Sequence, residues 1–194
     1  MLFRSMDQAS WQNDIKLPVG EALLAAEYTQ QKVSGTTDYA VSERTIRSLL
    51  AGWNGRIDQH RLQFNLRRDD NSQFGGETTG SASYGYQFTP EWRAHVSYGT
   101  AFRAPTFNEL YFPASFLFAG GNPDLKPERA KNAEVGVNWE HASHRFGAVF
   151  YNNNLTDLIE FRPPTFAPVN VSKALLRGAT LTYDGRLSGW GLGV

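Results

Sequence analysis

Residues 92–103 read Trp-Arg-Ala-His-Val-Ser-Tyr-Gly-Thr-Ala-Phe-Arg, and most of their apolar side chains fall on alternate positions. The apolar Trp92 and Val96 lie at even positions, whereas the polar Arg93 and His95 lie at odd positions. Successive residues of a β-strand point to opposite faces of a sheet. The segment therefore predicts a strand with one apolar face and one polar face.

The same alternation recurs along the chain, and it predicts an all-β protein of about ten antiparallel strands. The last of these strands carries Trp190, Leu192 and Val194 in the same alternation. The other clear examples are residues 62–67, 82–88, 135–139 and 146–150.

The segments between these strands alternate between short turns and longer polar stretches. The predicted turns are residues 17–20, 54–60, 89–91, 141–143 and 184–185, and the predicted long loops are 34–42, 69–78, 104–127 and 162–170. Short periplasmic turns and long external loops are typical of a transmembrane β-barrel. Aromatic residues near predicted strand ends would supply its interfacial girdles: Tyr28, Tyr84, Tyr86, Trp92, Tyr98, Phe102 and Trp139. Periodicity alone also allows a soluble β-sandwich.

The composition of the 194 residues excludes several classes of protein. The 19 basic and 19 acidic residues balance, so no electrostatic surface for nucleic acid is predicted. No apolar run is long enough for a transmembrane helix. Cysteine is absent, and the histidines show no metal-ligand spacing. No nucleophile elbow, P-loop or dinucleotide fingerprint is present, so the sequence predicts no enzyme and no metal centre.

Two stretches resemble the TonB-dependent outer-membrane receptors. The first is Phe102-Arg-Ala-Pro-Thr-Phe-Asn-Glu-Leu-Tyr111, and the second is Gly121-Asn-Pro-Asp-Leu-Lys-Pro-Glu128. The later Tyr151-Asn-Asn-Asn-Leu-Thr-Asp-Leu-Ile159 is similar as well, and Gly178 follows it. The resemblance covers essentially the whole chain. It implies an antiparallel transmembrane barrel of about 22 strands with a plugged lumen.

Against that pattern, residues 1–194 correspond to part of the barrel domain, and we expect the plug domain and the closing C-terminal strands to be absent. The resemblance implies active transport across the bacterial outer membrane, in contact with its lipid, driven by a TonB-type transducer through the missing plug. The stretch 68–75 resembles a loop of the vitamin B12 branch, so cobalamin is the expected ligand. A ferric siderophore is the alternative. Haem is disfavoured because residues 106–121 contain no histidine to act as an axial ligand.

Asp69, Asp70 and Asn71 lie in the predicted loop 69–78 and are candidate ligand-binding residues. Their oxygen atoms could bind the amides of a ligand or a Ca²⁺ ion, which is the one cofactor considered. The alternative is that these side chains stabilise a turn.

Arg103, Asn108 and Glu109 begin the long loop, residues 104–127, and are the other candidate ligand-binding residues. In the structural alternative, Arg103 pairs with a carboxylate of the lumen. Prolines and their neighbours are expected to fix the direction of the chain at the start and return of this loop: Pro105, Asn122, Pro123, Pro127 and Glu128. Phe112, Phe116, Leu117 and Phe118 predict an apolar patch within the loop.

Overall fold

The computed structural model describes residues 2–116, 118–187 and 190–193. It contains one sheet of ten antiparallel strands in which each strand pairs with the next along the chain. The prediction of about ten antiparallel strands is confirmed. The elements are β1 (Leu2–Lys16), β2 (Glu21–Gly35), β3 (Glu43–Ile57), β4 (His60–Asn71), β5 (Gly75–Gln87), β6 (Trp92–Arg103), α1 (Phe107–Tyr111), β7 (Glu128–His141), β8 (His144–Arg162), β9 (Ala167–Leu187) and β10 (Trp190–Gly193).

The register places apolar and polar side chains on opposite faces of the sheet. Trp53 pairs with Phe64, while Gly52 pairs with Asn65 in the adjacent row. Directly paired residues share a face, so the first pair lies on an apolar face and the second on a polar one. The apolar side chains remain exposed on this sheet, with Leu66 at 58% and Leu181 at 65% of their free surface. We call the apolar face the outward face and the polar face the lumen face.

Two connections at one end of the sheet are longer than any of those described at the other end. One end, called the turn end, carries residues 17–20, 58–59, 88–91 and 142–143. The other end, called the mouth, carries residues 36–42, 72–74, 104–127 and 163–166. Aromatic side chains pack against each other on the outward face near the turn end. The ring centres of Trp92 and Trp139 lie 6.3 Å apart, and those of Tyr86 and Phe88 lie 4.8 Å apart. No helix within the described ranges is long and apolar enough to cross a bilayer.

Several predicted connections are shorter than expected because strands continue through them. The predicted loop 69–78 is wrong over most of its length: β4 runs to Asn71, β5 begins at Gly75, and only residues 72–74 connect them. The predicted loop 162–170 likewise contracts to residues 163–166, and the predicted turn 54–60 contracts to residues 58–59. The lumen face of a strand carries polar side chains, so a run of polar residues in the sequence can belong to a strand and not to a loop.

The predicted turn at Asp184-Gly185 is also wrong. Both residues lie inside β9, where Asp184 pairs with Arg145 and Gly185 pairs with Leu192. The Asp-Gly dipeptide is a frequent turn sequence, but here the ladder with β8 and β10 holds it extended. Of the residues predicted for the last strand, Val194 lies outside the described part of the chain.

Candidate functional site

The long loop, residues 104–127, begins with a single helical turn, α1, fixed by a reciprocal capping box. Thr106 accepts a hydrogen bond through Oγ1 from the backbone N–H of Glu109, at 3.2 Å. In return the Glu109 carboxylate accepts one from the backbone N–H of Thr106, at 2.6 Å. The Thr-x-x-Glu spacing that signals this cap stands in the sequence, and our sequence reasoning missed it. The helix places Phe107 and Leu110 in a buried position under the loop.

Arg103, the last residue of β6, joins the two ends of the long loop. Its Nε and Nη2 donate to the Glu128 carboxylate at 2.7 and 2.8 Å. Nη1 and Nη2 donate to the Glu109 carboxylate at 3.2 and 3.1 Å. Glu128 also accepts from the backbone N–H of Ile159 at 2.8 Å. Arg103 therefore pairs with two carboxylates, Glu109 of α1 and Glu128 of β7.

The return of the long loop is held by α1 and by β9. Asn122 donates through its backbone N–H to the Glu109 carbonyl at 2.8 Å and through Nδ2 to the Pro168 carbonyl at 3.1 Å. Asn170 accepts from the Lys126 backbone N–H at 2.9 Å and donates to the Lys126 carbonyl at 3.0 Å. The role of Asn170 was not predicted, because it depends on a contact 44 positions away along the chain.

Pro123 and Pro127 lie in this return, before and after the Leu125 side chain, which is buried. Pro105, at the other end of the loop, is fully buried. These prolines fix the φ angle and lack a backbone N–H, which suits positions where the chain reverses without joining the sheet. The role of these prolines in fixing the direction of the chain stays a prediction.

Two residues from other elements complete the support of α1. The Tyr39 hydroxyl, in the loop 36–42, donates to Asn108 Oδ1 at 2.6 Å. The Arg44 guanidinium donates to the Pro105 carbonyl at 2.8 Å and lies 4.9 Å from the centre of the Phe107 ring. Neither contact has a local sequence signal, because the partners are 69 and 61 positions apart.

Asp69, Asp70 and Asn71 belong to the end of β4 and point alternately to the two faces of the sheet. Asp69 is buried on the lumen face, where it accepts hydrogen bonds from Ser48 and from Arg67. Asp70 is exposed on the outward face, while Asn71 accepts from the backbone N–H of Gln73 at 2.9 Å. No group of three His, Cys, Asp or Glu side chains within the described ranges could hold a metal ion. Calcium binding and ligand contact by these residues stay predictions.

The tip of the long loop presents aromatic side chains. Phe116 is fully exposed, at 101% of its free surface. Phe112 packs edge-on against Tyr39 and Phe118, with ring centres 6.3 and 5.6 Å apart. Leu117, also predicted in this patch, lies outside the described residues. The site therefore combines a base held by many hydrogen bonds with an exposed aromatic tip.

Comparison with known proteins identifies relatives over nearly the whole chain. The vitamin B12 transporter BtuB of Photobacterium profundum is 33% identical over 183 residues, which cover 90% of this chain and 29% of that protein. The vitamin B12 transporter BtuB of Vibrio vulnificus is 28% identical over 186 residues, covering 91% of this chain and 30% of that protein. The chain thus spans about three tenths of the length of these curated relatives.

Solved structures share the fold at lower identity. The siderophore receptor PirA of Pseudomonas aeruginosa superposes with a TM-score of 0.80 at 20% identity, covering 95% of this chain and 37% of that one. A mutant of the ferric enterobactin receptor PfeA of the same organism, in complex with enterobactin, superposes with a TM-score of 0.78 at 20% identity, covering 96% and 34%. The model of the TonB dependent receptor-like β-barrel family matches residues 4–194. As the loop motifs predicted, the chain belongs to this family of outer-membrane β-barrel receptors.

Proposed function

We propose that this chain is part of an outer-membrane receptor that binds cobalamin and imports it with energy from a TonB-type partner. The observation that carries the proposal is the 33% identity to a vitamin B12 transporter across 90% of the chain. Because the chain spans only 29% of that relative, the proposed import belongs to the full-length protein that contains it. The family is one of receptors and transporters rather than enzymes.

The proposed mechanism uses the mouth as a rigid binding surface and involves no covalent step. Arg103 binds both Glu109 and Glu128, so the base of the long loop does not need to become ordered when the ligand arrives. A surface that is ordered beforehand loses less entropy on binding. The energised partner would then act through a plug to release the ligand into the lumen.

The ligand contacts proposed from the sequence differ in how well the geometry supports them. Arg103, Asn108 and Glu109 lie at the base of the long loop and already have protein partners. Asp70 lies on the outward face. We therefore assign the main contact to the exposed Phe116 at the loop tip, which would pack against an apolar part of the ligand.

Equilibrium binding to the purified full-length protein tests this function. Cyanocobalamin is expected to bind more tightly than ferric enterobactin, by about tenfold or more. Phe116→Ser is expected to weaken cyanocobalamin binding about tenfold, because a buried aromatic contact at an interface contributes about 1–2 kcal/mol or more. Arg145→Gln, at the turn end, is the matched control and should leave the affinity unchanged. Tighter binding of ferric enterobactin would replace cobalamin with the siderophore alternative.

A further inference from the structure

A shallow groove crosses the outward face of β1, β2, β3 and β4 near the mouth. It is formed by two adjacent cross-strand rows, whose members pair directly and therefore share one face. The first row is Ala9, Tyr28, Arg47 and Asp70, and the second is Trp11, Ala26, Leu49 and Arg68. The small side chain of Ala26 lies between the larger Trp11 and Leu49, which makes the depression.

The charged groups of the groove are only partly satisfied by the protein. Arg47 is exposed, and within the described part of the chain its guanidinium donates no hydrogen bond and forms no ion pair. Arg68 donates one hydrogen bond, from Nη1 to Thr78 Oγ1 at 2.9 Å. Its guanidinium lies against Gly76, where any side chain would collide with it. Because Gly76 pairs with Asp70, the Arg68 guanidinium reaches the level of Arg47.

Two guanidinium groups thus stand beside one carboxylate, Asp70, which forms no ion pair within the described residues. The groove carries a net charge of one positive unit and has free N–H donors. Guanidinium groups bind phosphate oxygens through paired hydrogen bonds, so the complementary ligand is a phosphate.

The position of the groove relative to the membrane specifies which phosphate can reach it. The next two rows toward the turn end are largely apolar on the outward face, and they include Leu66 and Phe64 of β4. The arginines therefore stand at the mouth-side boundary of the apolar band, at the depth of lipid head groups. Trp11 and Tyr28 are the aromatic types enriched at that depth. In an outer-membrane barrel the mouth-side half of the outward face contacts lipids of the outer leaflet.

We propose that this groove binds a phosphorylated lipid of the outer leaflet. Arg47 and Arg68 hold the phosphate, and an acyl chain lies across Ala26 against Trp11 and Leu49. The proposal rests on the family assignment and the outward face, and it is independent of whether the cargo is cobalamin.

Native mass spectrometry of the full-length protein in detergent tests the proposal, with dioctanoyl phosphatidic acid as the probe. Arg47→Gln and Arg68→Gln are each expected to weaken lipid binding about fivefold, and the double variant about 25-fold, because each basic side chain near a membrane surface contributes a similar increment. Arg177→Gln is the matched control: Arg177 is exposed on the outward face, opposite Asn152 and away from the groove. It should leave binding unchanged.

Two further arms separate the phosphorylated lipid from its parts. Dioctanoyl glycerol and inorganic phosphate should each bind far more weakly than phosphatidic acid. Ala26→Phe fills the groove without changing its charge and should abolish lipid binding, which keeps the test decisive if an arginine variant fails to fold. Unchanged affinity in the double variant, equal binding of dioctanoyl glycerol, or full displacement by equimolar inorganic phosphate would each overturn the proposal.

Discussion

Replacing Arg103 by methionine is expected to release the long loop from the sheet while leaving the barrel strands paired. Methionine preserves the apolar stem of the side chain and removes the guanidinium. The change leaves two carboxylates without their common cation, and the Glu109 and Glu128 side chains are only 12% and 17% exposed. Breaking a buried ion pair costs about 3–5 kcal/mol, whereas an exposed pair contributes about 0–1 kcal/mol. Arg103 is 45% exposed, so the cost falls between these limits, at about 2 kcal/mol.

Hydrogen–deuterium exchange measures this loss directly. The amides of Gly121 and Asn122, which donate to carbonyls of Phe112 and Glu109, report on closure of the loop. A cost of about 2 kcal/mol corresponds to roughly thirtyfold faster exchange at these amides. Arg103→Lys should give an intermediate rate, because an ammonium group cannot bridge both carboxylates with the same set of donors.

Arg145→Met is the matched control for this experiment. Arg145 pairs with Glu140 at 3.1 Å, but both side chains are largely exposed and lie at the turn end. The control should leave exchange in the long loop unchanged. If Arg103→Met also left it unchanged, the ion pairs would not hold the loop, and the reasoning about its rigidity would be refuted.

Three other substitutions test the packing of the loop and the orientation of the sheet. Gly121→Ala should cost about 1–3 kcal/mol, because the added Cβ would collide with the backbone of α1. The long loop should then be cut faster in limited proteolysis, and an unchanged cleavage rate would contradict this. Tyr39→Phe removes the hydrogen bond to Asn108 and should cost about 1 kcal/mol, read as about fivefold faster exchange in α1. Leu66→Arg lies one outward row inside Arg68, between the head-group boundary and the bilayer centre, and should destabilise the full-length protein by about 1–2 kcal/mol in urea unfolding from vesicles. Gln63→Arg on the lumen face should not destabilise it, and equal effects would contradict the assigned faces.

The strands could be predicted from the sequence because each strand separates two different environments. In β6 the alternation of Trp92 and Val96 with Arg93 and His95 follows the two faces of the sheet from Trp92 to Gly99. The motifs of the long loop then indicated the family, and the family implied which connections are external. Both signals are local in the sequence, and the antiparallel strands and the family are confirmed.

The boundaries of the predicted loops 69–78 and 162–170 could not be predicted, because a polar lumen face resembles a loop in composition. Asp69 and Asn71 were assigned to a loop for their polarity, but they lie in β4 on the lumen side. The correct interpretation requires knowledge of the pairing between Asp69 and Ser48 of β3.

The supports of the long loop were missed for a different reason. Arg44 and Asn170 bind loop residues 61 and 44 positions away, and no periodicity connects them. The capping box of Thr106 and Glu109 is the exception, since its spacing was readable in advance.

Energised uptake by cells that carry the full-length protein tests the proposed function most directly. Radiolabelled cyanocobalamin should accumulate inside these cells only while the inner membrane is energised and the TonB-type partner is present. Removing either should leave binding at the surface but no accumulation. Accumulation of a ferric siderophore in place of cyanocobalamin, under the same conditions, would contradict the assignment of cobalamin as the cargo.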